Sequence, residues 1–286
     1  MQKLIFTNSR GQSITIGNAA PFVLSSFDQG SLQTTMLTTK APMQDGKSYH
    51  GTLLEEIIPT IEGTIMGADM EDMFTKRRLL SSVFNPKDTG TLTYINDIKQ
   101  YTIDCVVQSV VFKDKYEPSQ GFQIQLFCPD PYYKDVSETK EEIALWLGDF
   151  EFPLEIPETG IEMGHRVSNL IVNANNPGDV ECGIRVEFTA LASVVNPSIL
   201  NVYTQEFIKV KRTLVAGDKL VINTEFGHKR VEMVHNGVSA NVFNYIDLDT
   251  TFLQLAVGDN LLRYNAESGI DNLEVAIYYT PKYAGV

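Results

Sequence analysis

Three stretches of the sequence place an apolar residue at every second position, and this period of two is the strongest constraint on the fold. They are Phe122–Cys128, Cys182–Phe188 and Leu273–Tyr279. Successive side chains of an extended strand point to opposite faces, so each stretch presents one apolar face and one mixed, more polar face. The pattern predicts half-buried strands in both halves of the chain. We therefore expect a mainly β protein.

The first half is predicted to be a β-barrel-like domain with one helix and a projecting hairpin. Lys3–Phe6 and Ser13–Gly17 predict an opening hairpin. Residues 49–66 predict a strand pair interrupted near Glu56–Pro59. The polar segment 112–120, between two predicted strands, is interpreted as the hairpin tip.

Residues 68–84 are the best helix candidate, and one face of this helix is expected to be buried in the core of the first domain. Asp69 is placed to cap this helix, Asp72 follows in the position of a capping box, and Asn85-Pro86 ends it. Five apolar residues have the three-to-four spacing of one buried stripe: Met70, Met73, Phe74, Leu80 and Phe84. The basic triplet Lys76–Arg78 is interpreted as part of the solvated face.

The composition shifts after residue 136, which predicts a domain junction near residue 135. Residues 137–162 hold one base, Lys140, and these acids: Glu138, Glu141, Glu142, Asp149, Glu151, Glu155, Glu158 and Glu162. Beyond them, turn signals separate short strands at regular intervals, and Lys219–Asn223 with Arg230–Val234 predict a hairpin. We expect a first domain over 1–135 and a β-sandwich over 136–286.

The charge of the chain argues against two classes of partner. Its net charge is −13, and most of the acidic excess lies in the second half. Nucleic-acid binding requires clustered Lys and Arg, so direct DNA or RNA binding is not expected. The same charge disfavours adsorption to anionic lipid. The N-terminus has no signal-peptide pattern and no apolar run approaches ~20 residues, so we expect no membrane span and synthesis in a cytoplasm.

The metal-ligating residue types are scattered along the sequence. The three cysteines, Cys105, Cys128 and Cys182, are widely spaced without a CxxC pair and are predicted to be buried free thiols. The histidines also lie in separate segments: His50, His165, His228 and His235. An opposed His228–His235 pair across the predicted hairpin would suit a metal, but no carboxylate or thiol completes it. We predict no metal site and no cofactor.

Two sugar-related alternatives remain open from the residues alone. The first is a platform of aromatic side chains that stacks on sugars. The same residues could instead fill the core or a subunit interface. They are Trp146, Tyr203, Tyr245, Tyr264, Tyr278 and Tyr279. Glu187 and Glu274 are the candidate carboxylate pair of a glycosidase, but both are predicted to face outward. No catalytic motif is present, so we predict no catalytic residue and no enzyme.

Short motifs in a consistent order along nearly the whole chain resemble the distal tail proteins of siphophages. In the first half they are Lys76–Leu80, Phe84–Pro86, Gly90–Tyr94, Tyr101–Val107 and Phe122–Tyr133. In the second half they are Asn175–Asp179, Asn196–Ile199, Ala216–Asn223 and Gly258–Tyr264. One departure is the acidic segment 53–58, where family members often carry an Arg, and this puts any contact of that Arg in doubt.

The resemblance implies a structural virion protein at the tail tip. In this family the first domain forms a six-fold ring at the end of the tail tube. The second, a galectin-like or carbohydrate-binding-module-like sandwich, points outward and holds receptor-binding proteins or baseplate arms, or meets host saccharide. The ring joins the tube to a tail-associated lysin or fibre. The alternative is a carbohydrate-binding module or adhesin acting through residues 150–286.

The residues add two expectations about such a ring. Exposed strand edges and the 112–121 hairpin would supply the repeated surfaces that close it. An acidic lumen would let DNA pass without sticking, because like charges repel.

Overall fold

The structure is a computed structural model that describes residues 2–147, 165–168 and 170–286, except the side chains of 144–147 and 165–168. The chain divides into two compact units, Met1–Val136 with Tyr283–Val286, and Ser137–Lys282. Five of the acids noted above lie outside the described residues: Asp149, Glu151, Glu155, Glu158 and Glu162. The side chains of Trp146 and His165 lie outside them as well.

The first unit is built from ten strands and one helix. In chain order they are β1 (Lys3–Asn8), β2 (Ser13–Ile16), β3 (Phe22–Asp28), β4 (Thr34–Thr39), β5 (Ser48–Leu54), β6 (Thr60–Met66), α1 (Met70–Val83), β7 (Thr89–Ile95), β8 (Gln100–Tyr116), β9 (Ser119–Phe127) and β10 (Tyr133–Asp135). The main sheet runs β2-β1-β7-β8-β9-β6-β3, with β10 beside β8.

The main sheet curls without closing into a full barrel. Its two edge strands, β2 and β3, meet only at one isolated bridge between Gly17, just after β2, and Val23 near the start of β3. The backbone N–H of Leu24 donates to the Gly17 carbonyl at 2.7 Å. The predicted opening hairpin is confirmed, since β1 pairs antiparallel with β2.

Alternation along the strands produces the core of this unit. Leu4 and Phe6 of β1 are buried, and β9 buries Phe122, Ile124 and Leu126. Gln123 and Gln125 between them stay partly exposed, as the period of two predicts. Phe6 stacks on Phe84, just after the helix, with ring centroids 4.3 Å apart.

Helix α1 closes one side of the core and begins where the sequence predicts. The Asp69 carboxylate accepts a hydrogen bond from the Asp72 N–H at 2.8 Å, and the Asp72 carboxylate accepts one from the Ala68 N–H at 2.7 Å. The first bond satisfies one of the donors that a helix N-terminus leaves without backbone partners, and the second fixes the residue before the cap. The helix ends at Val83.

The predicted helix stripe needs one correction. Met73, Leu80 and Phe84 are buried, but Phe74 is 47% exposed. Val83, which was not assigned to the stripe, is buried instead. The helix is shorter than predicted and presents the 73, 80 and 83 positions to the sheet, which leaves Phe74 at the rim of that face.

One other prediction in this unit was wrong, and another is confirmed with a difference in detail. The strands within 49–66 exist, but they do not pair with each other: β5 pairs with β4, and β6 lies between β3 and β9. Segment 112–120 does form the end of the predicted hairpin, but it is mostly strand, because β8 continues to Tyr116 and β9 begins at Ser119. Backbone pairing continues through these polar residues, and only the turn at 117–118 forms the tip.

The second unit contains the remaining strands. They are β11 (Thr139–Leu147), β12 (His165–Ser168), β13 (Ile171–Asn176), β14 (Cys182–Ala190), β15 (Val194–Val195), β16 (Ser198–Asn201), β17 (Phe207–Lys209), β18 (Thr213–Leu214), β19 (Lys219–Asn223), β20 (Arg230–His235), β21 (Val238–Asn241), β22 (Gln254–Leu255), β23 (Gly258–Asn265), β24 (Leu273–Tyr279) and β25 (Lys282–Tyr283), the last reaching the first unit. Two short 3-10 helices span Phe243–Tyr245 and Ile270–Asn272.

Two sheets of the second unit share one core, as predicted for a sandwich. The larger sheet has the order β12-β11-β24-β14-β19-β20-β21, and the smaller has the order β13-β23-β16-β17. Val186 and Ile277 of the larger sheet belong to the same buried cluster as Ile199 and Leu262 of the smaller one. The mainly β fold and the β19–β20 hairpin are therefore confirmed.

Candidate assembly surfaces

Strands β4 and β5 form a ribbon that pairs with no other strand among the described residues. The register places Thr35 opposite Leu53 and Met36 opposite Thr52. All six residues of β4 are exposed. The sequence gives little sign of β4, because a strand whose side chains are all exposed has no alternation of apolar and polar residues. The β4–β5 pairing was not predicted.

The ribbon carries large apolar side chains on both faces. Met36 and Tyr49 are 65% and 63% exposed, and Leu37 and Leu53 are 45% and 56% exposed. Residues opposite each other in a ladder share a face, and neighbours along a strand alternate. Met36 and Tyr49 therefore lie on one face, and Leu37 and Leu53 on the other.

The root and tip of the ribbon are held by local contacts. At the root, the Glu55 N–H donates to the Gln33 carbonyl at 2.9 Å. Gly30 has φ of +85°, and a Cβ there would be 3.1 Å from the Ile58 backbone. At the tip, the Gln44 side chain accepts a hydrogen bond from the Ala41 N–H at 2.9 Å. The direction of the ribbon is thus set at its root.

A lone two-stranded ribbon is marginally stable in water, and its edges invite pairing with another chain. Four large apolar side chains at its surface add a second reason to bury it. This arrangement suits a segment that becomes covered when copies of a protein assemble.

A second apolar surface lies at the β8–β9 turn and is called here the hairpin–helix patch. It consists of the exposed side chains of Met66, Phe74 and Tyr116. Met66 pairs with Ser119, which also pairs with Tyr116. The Lys115 ammonium lies 5.2 Å from the Phe74 ring centroid, which joins the helix side of the patch to the hairpin.

The basic triplet of the helix is only partly solvated, which corrects its interpretation. Arg78 is exposed, but Arg77 lies 4.4 Å above the Phe112 ring and donates to the Gln120 side chain at 3.4 Å. Lys76 pairs with Asp72 at 2.6 Å. Hydrogen bonding to Lys76 is the main reason that the pKa of Asp72 is lowered. Within the triplet, Arg77 anchors the helix to the hairpin.

The candidate metal and catalytic residues do not converge. His228 lies in the turn before β20 and His235 at its far end, bonded to Asp218, so the two are not opposed. His50 contacts Thr39 in the ribbon. Among the residues that the structure describes, no cluster of His, Cys, Asp or Glu has metal-binding geometry.

The candidate glycosidase carboxylates are both on the polar face of the larger sheet. Glu187 bonds with Arg185 and with Lys219, the latter at 2.5 Å. Glu274 pairs through its backbone with Thr189 on the next strand. Neither lines a described cleft, and Glu187 is fully engaged by cations.

The proposed aromatic platform is dispersed. Tyr264 and Tyr279 are buried in the core, whereas Tyr203 and Tyr245 are exposed. Tyr278 lies under the Arg185 guanidinium, 4.0 Å from its ring centroid. The core interpretation therefore holds for two of these tyrosines, and the described ones form no common surface.

The cysteines are free and buried, as predicted. A hydrogen bond with Cys105, followed by burial, raises the pKa of Cys128. Burial raises the pKa of the Cys182 thiol to about 12. No helix in the described part of the chain has the length and apolarity to cross a bilayer.

Comparison with known families gives two matches that together cover most of the chain. Residues 9–128 match a phage tail protein RIFT-related domain. Residues 177–283 match the C-terminal domain of a siphovirus-type tail component. No curated protein matches the chain.

Solved structures share the fold over the full length. The Dit protein of phage SPP1, described as a paradigm of the hub adsorption apparatus in phages infecting Gram-positive bacteria, superposes with a TM-score of 0.71 at 12% identity over 98% of both chains. A chain of the activated phage P2 baseplate with Ca gives a TM-score of 0.57 at 14% identity, over 100% of this chain and 99% of that one. At such identities the likeness shows a common fold.

Proposed function

The chain belongs to the siphophage distal tail component family, and from this premise we propose that six copies close into a ring at the distal end of a long, non-contractile tail. The protein is a structural hub component of the phage tail. The ring, its copy number and its neighbours are the proposed part.

The β4–β5 ribbon is the observation that carries the proposal. It is exposed on both faces, apolar and without a strand partner in the described chain. The hairpin–helix patch is a different apolar surface on the same unit. Two different surfaces that meet between copies make a heterologous contact, which closes into a ring when the rotation fits. We propose that the ribbon of one copy covers this patch on the next.

The energy available from the ribbon suits a closed assembly. Its four large apolar side chains are about half exposed, so burying each contributes on the order of 1–2 kcal/mol. A ring repeats this contribution at every interface. An open chain of copies would have one interface fewer than a closed ring of the same number of copies.

The two units have different roles in this proposal. The first unit forms the ring between the tail tube and a tail-associated lysin or fibre. The second unit points outward and holds receptor-binding proteins. The protein's proposed role is assembly. Acidic side chains lining the lumen of the ring would repel the DNA that passes through it. Residues 1–135 and 136–286 are the proposed ring-forming and peripheral domains.

Light scattering after size exclusion, combined with negative-stain images, tests the ring. Closed six-membered rings are expected as concentration rises. A dimer, an open fibre, or a monomer at every concentration would contradict a self-closing ring.

Cysteine cross-linking tests the contact itself, because the three native thiols are buried. Tyr49→Cys combined with Phe74→Cys should form disulfide-linked ladders up to six chains. Tyr49→Cys combined with Tyr203→Cys, an exposed position in the second unit, is the control and should form none.

A further inference from the structure

Two of the three cysteines lie opposite each other at one end of the β8–β9 ladder. The register pairs Val106 with Phe127, so the next position places Cys105 opposite Cys128. Residues that are opposite in an antiparallel ladder point to the same face of the sheet. Both side chains point into the core of the first unit, where they are 3% and 0% exposed. Their spacing in the sequence gives no sign of this pair.

The backbone hydrogen bonds of Cys128 show which kind of pair it forms with Cys105. The Cys128 N–H donates to the Ile57 carbonyl at 3.0 Å, and the Ile57 N–H donates to the Cys128 carbonyl at 3.2 Å. Both backbone groups of Cys128 are therefore directed towards Ile57 and away from β8. Cys105 and Cys128 consequently form a non-hydrogen-bonded pair. In such a pair the two Cα atoms lie about 4.5 Å apart and the side chains approach most closely.

This arrangement fits a disulfide, because the Cα atoms of a disulfide lie about 4.4–6.8 Å apart. The two thiols are also in contact, since a hydrogen bond with Cys105 is the main reason that the pKa of Cys128 is raised. The third cysteine, Cys182, belongs to the core of the second unit. Each thiol of the pair therefore has the other as its nearest partner for a disulfide.

The surroundings of the pair determine how fast it can react. Tyr133 is 1% exposed, and its hydroxyl has no hydrogen-bond partner among the described residues. Burial raises the pKa of this phenol, and the charges of Cys128 and Cys105 add to the shift. The raised pKa of Cys128 keeps that thiol protonated, whereas the thiolate is the form that attacks a disulfide. Exchange in the folded chain should therefore be slow.

We infer that Cys105 and Cys128 are a redox pair. In a reducing compartment they are thiols, and in oxidising surroundings that contain a small-molecule disulfide they form an intramolecular disulfide. One thiol of the pair loses its proton, attacks the oxidant, forms a mixed disulfide and releases one thiolate. The second loses its proton and attacks the mixed disulfide, which forms the Cys105–Cys128 bond and releases another thiolate. The two released thiolates take up two protons, and two electrons have passed from the protein to the oxidant.

The bond would fasten the ladder at the point where its backbone pairing ends. The residue after Cys128 is Pro129, which has no N–H and cannot extend the ladder. A disulfide at this end closes the β8–β9 hairpin covalently and restricts the unfolded chain. The inference concerns the core of the first unit and does not depend on ring formation.

Refolding of the full chain in a glutathione redox buffer tests the inference, because unfolding exposes the thiols to the oxidant. The chain refolded with oxidised glutathione should be two hydrogen atoms lighter than the reduced chain. Peptide mapping should recover Cys105 joined to Cys128. After denaturation without reductant, Ellman's reagent should detect only Cys182 in the oxidised chain and all three cysteines in the reduced chain. Addition of oxidised glutathione to the folded, reduced chain should give the same product more slowly.

Hydrogen exchange followed by mass spectrometry measures the effect of the bond. Closing it should slow amide exchange in peptides from β8 and β9 by at least about 10-fold, whereas peptides from β14 of the second unit should be unchanged. Cys105→Ala and Cys128→Ala should each abolish this oxidant-dependent difference. Cys182→Ala is the matched control and should retain it. Each variant is compared with itself in the two redox states, so a general loss of stability does not affect the result.

Three results would overturn the inference. They are three free thiols at redox equilibrium, glutathione adducts in place of an internal bond, or a disulfide that involves Cys182. A Cys105–Cys128 bond that left the exchange of β8 and β9 unchanged would overturn its stabilising role. None of these results bears on the ring, which is measured separately.

Discussion

Gly63 and Phe122 lie directly opposite each other in the β6–β9 ladder, and the Phe122 ring covers the place where a Gly63 side chain would start. A Cβ at Gly63 would be 2.5 Å from Phe122 Cζ and 2.6 Å from the Val23 carbonyl oxygen. Phe122 is fully buried. The first unit therefore packs the Phe122 ring against the one position of the neighbouring strand, Gly63, that has no side chain there.

Gly63→Ala should destabilise the first unit by about 1–3 kcal/mol, because the added methyl group forces the buried ring and strand β3 to shift. Chemical unfolding followed by circular dichroism measures the change. Gly51→Ala is the matched control, since a Cβ there meets nothing closer than 4.0 Å. Equal effects at both positions would show that the loss reflects glycine replacement in general.

The helix cap gives a second prediction. Asp69→Ala removes the acceptor of the Asp72 N–H and should cost about 1 kcal/mol of stability. Glu71→Ala, in the same first turn, removes an acidic side chain without a capping bond and should cost less. Thermal unfolding of both variants checks this. A larger loss in Glu71→Ala would contradict the capping role.

This cap was predictable because it depends on residues three positions apart, and the strand faces were predictable for a similar reason. Burial of alternate residues leaves a pattern in the sequence, as in β9 and β14. The pairing of β5 with β4 leaves no such pattern. Pairing partners depend on contacts across the whole sheet, so the ribbon appears only in the structure.

The Asp218–His235 contact predicts a pH dependence. Burial alone would raise the pKa of Asp218, but hydrogen bonds from the Val215 N–H and the His235 ring outweigh it, so the pKa is lowered. A carboxylate with a lowered pKa stabilises the folded state above its ordinary pKa of 3.8. This contribution is lost as pH falls through the lowered folded value.

Asp218→Asn should therefore be less stable than the wild type at pH 7, and the difference should shrink below about pH 3.8. Urea unfolding across this range measures it. Asp249→Asn, at an exposed position of the same unit, should show no comparable change. A constant difference down to the lowest pH would argue that charge at Asp218 is unimportant.

Thiol reactivity tests the two cores together. The three cysteines are buried, and burial raises the pKa of Cys182 to about 12. Thiolate is the reactive form, so native protein at pH 8 should not react with Ellman's reagent within minutes. Denatured protein should react at all three positions. Fast labelling of the native chain would show that a core opens readily.

The candidate assembly surface was only half foreseen from the sequence. The 112–121 hairpin was expected to supply contacts, and its exposed Tyr116 lies in the hairpin–helix patch. Phe74 was assigned to the core, because a three-to-four spacing does not reveal where the covered face of a helix ends. Met36 and Leu53 had no sequence signal beyond their apolarity.

Met36→Ser with Leu53→Ser should abolish the ring while leaving the fold intact. The two residues lie on opposite faces of the ribbon, so the double substitution removes apolar surface from both faces. Because both are exposed in the single chain, the unfolding temperature should stay within a few degrees of the wild type, as is usual for surface substitutions. Light scattering should then show monomer at concentrations where the wild type is a ring.

Leu248→Ser is the control for this pair, since Leu248 is 98% exposed and lies in the second unit. It lowers surface apolarity without touching the ribbon, and rings should persist. If Leu248→Ser disrupted assembly as strongly as the ribbon pair, the association would be non-specific hydrophobic contact. If neither the ribbon pair nor Leu248→Ser disrupted the ring, the ribbon would not form the ring contact. It would then have another partner, because exposed apolar side chains on both faces of a lone strand pair still need to be covered.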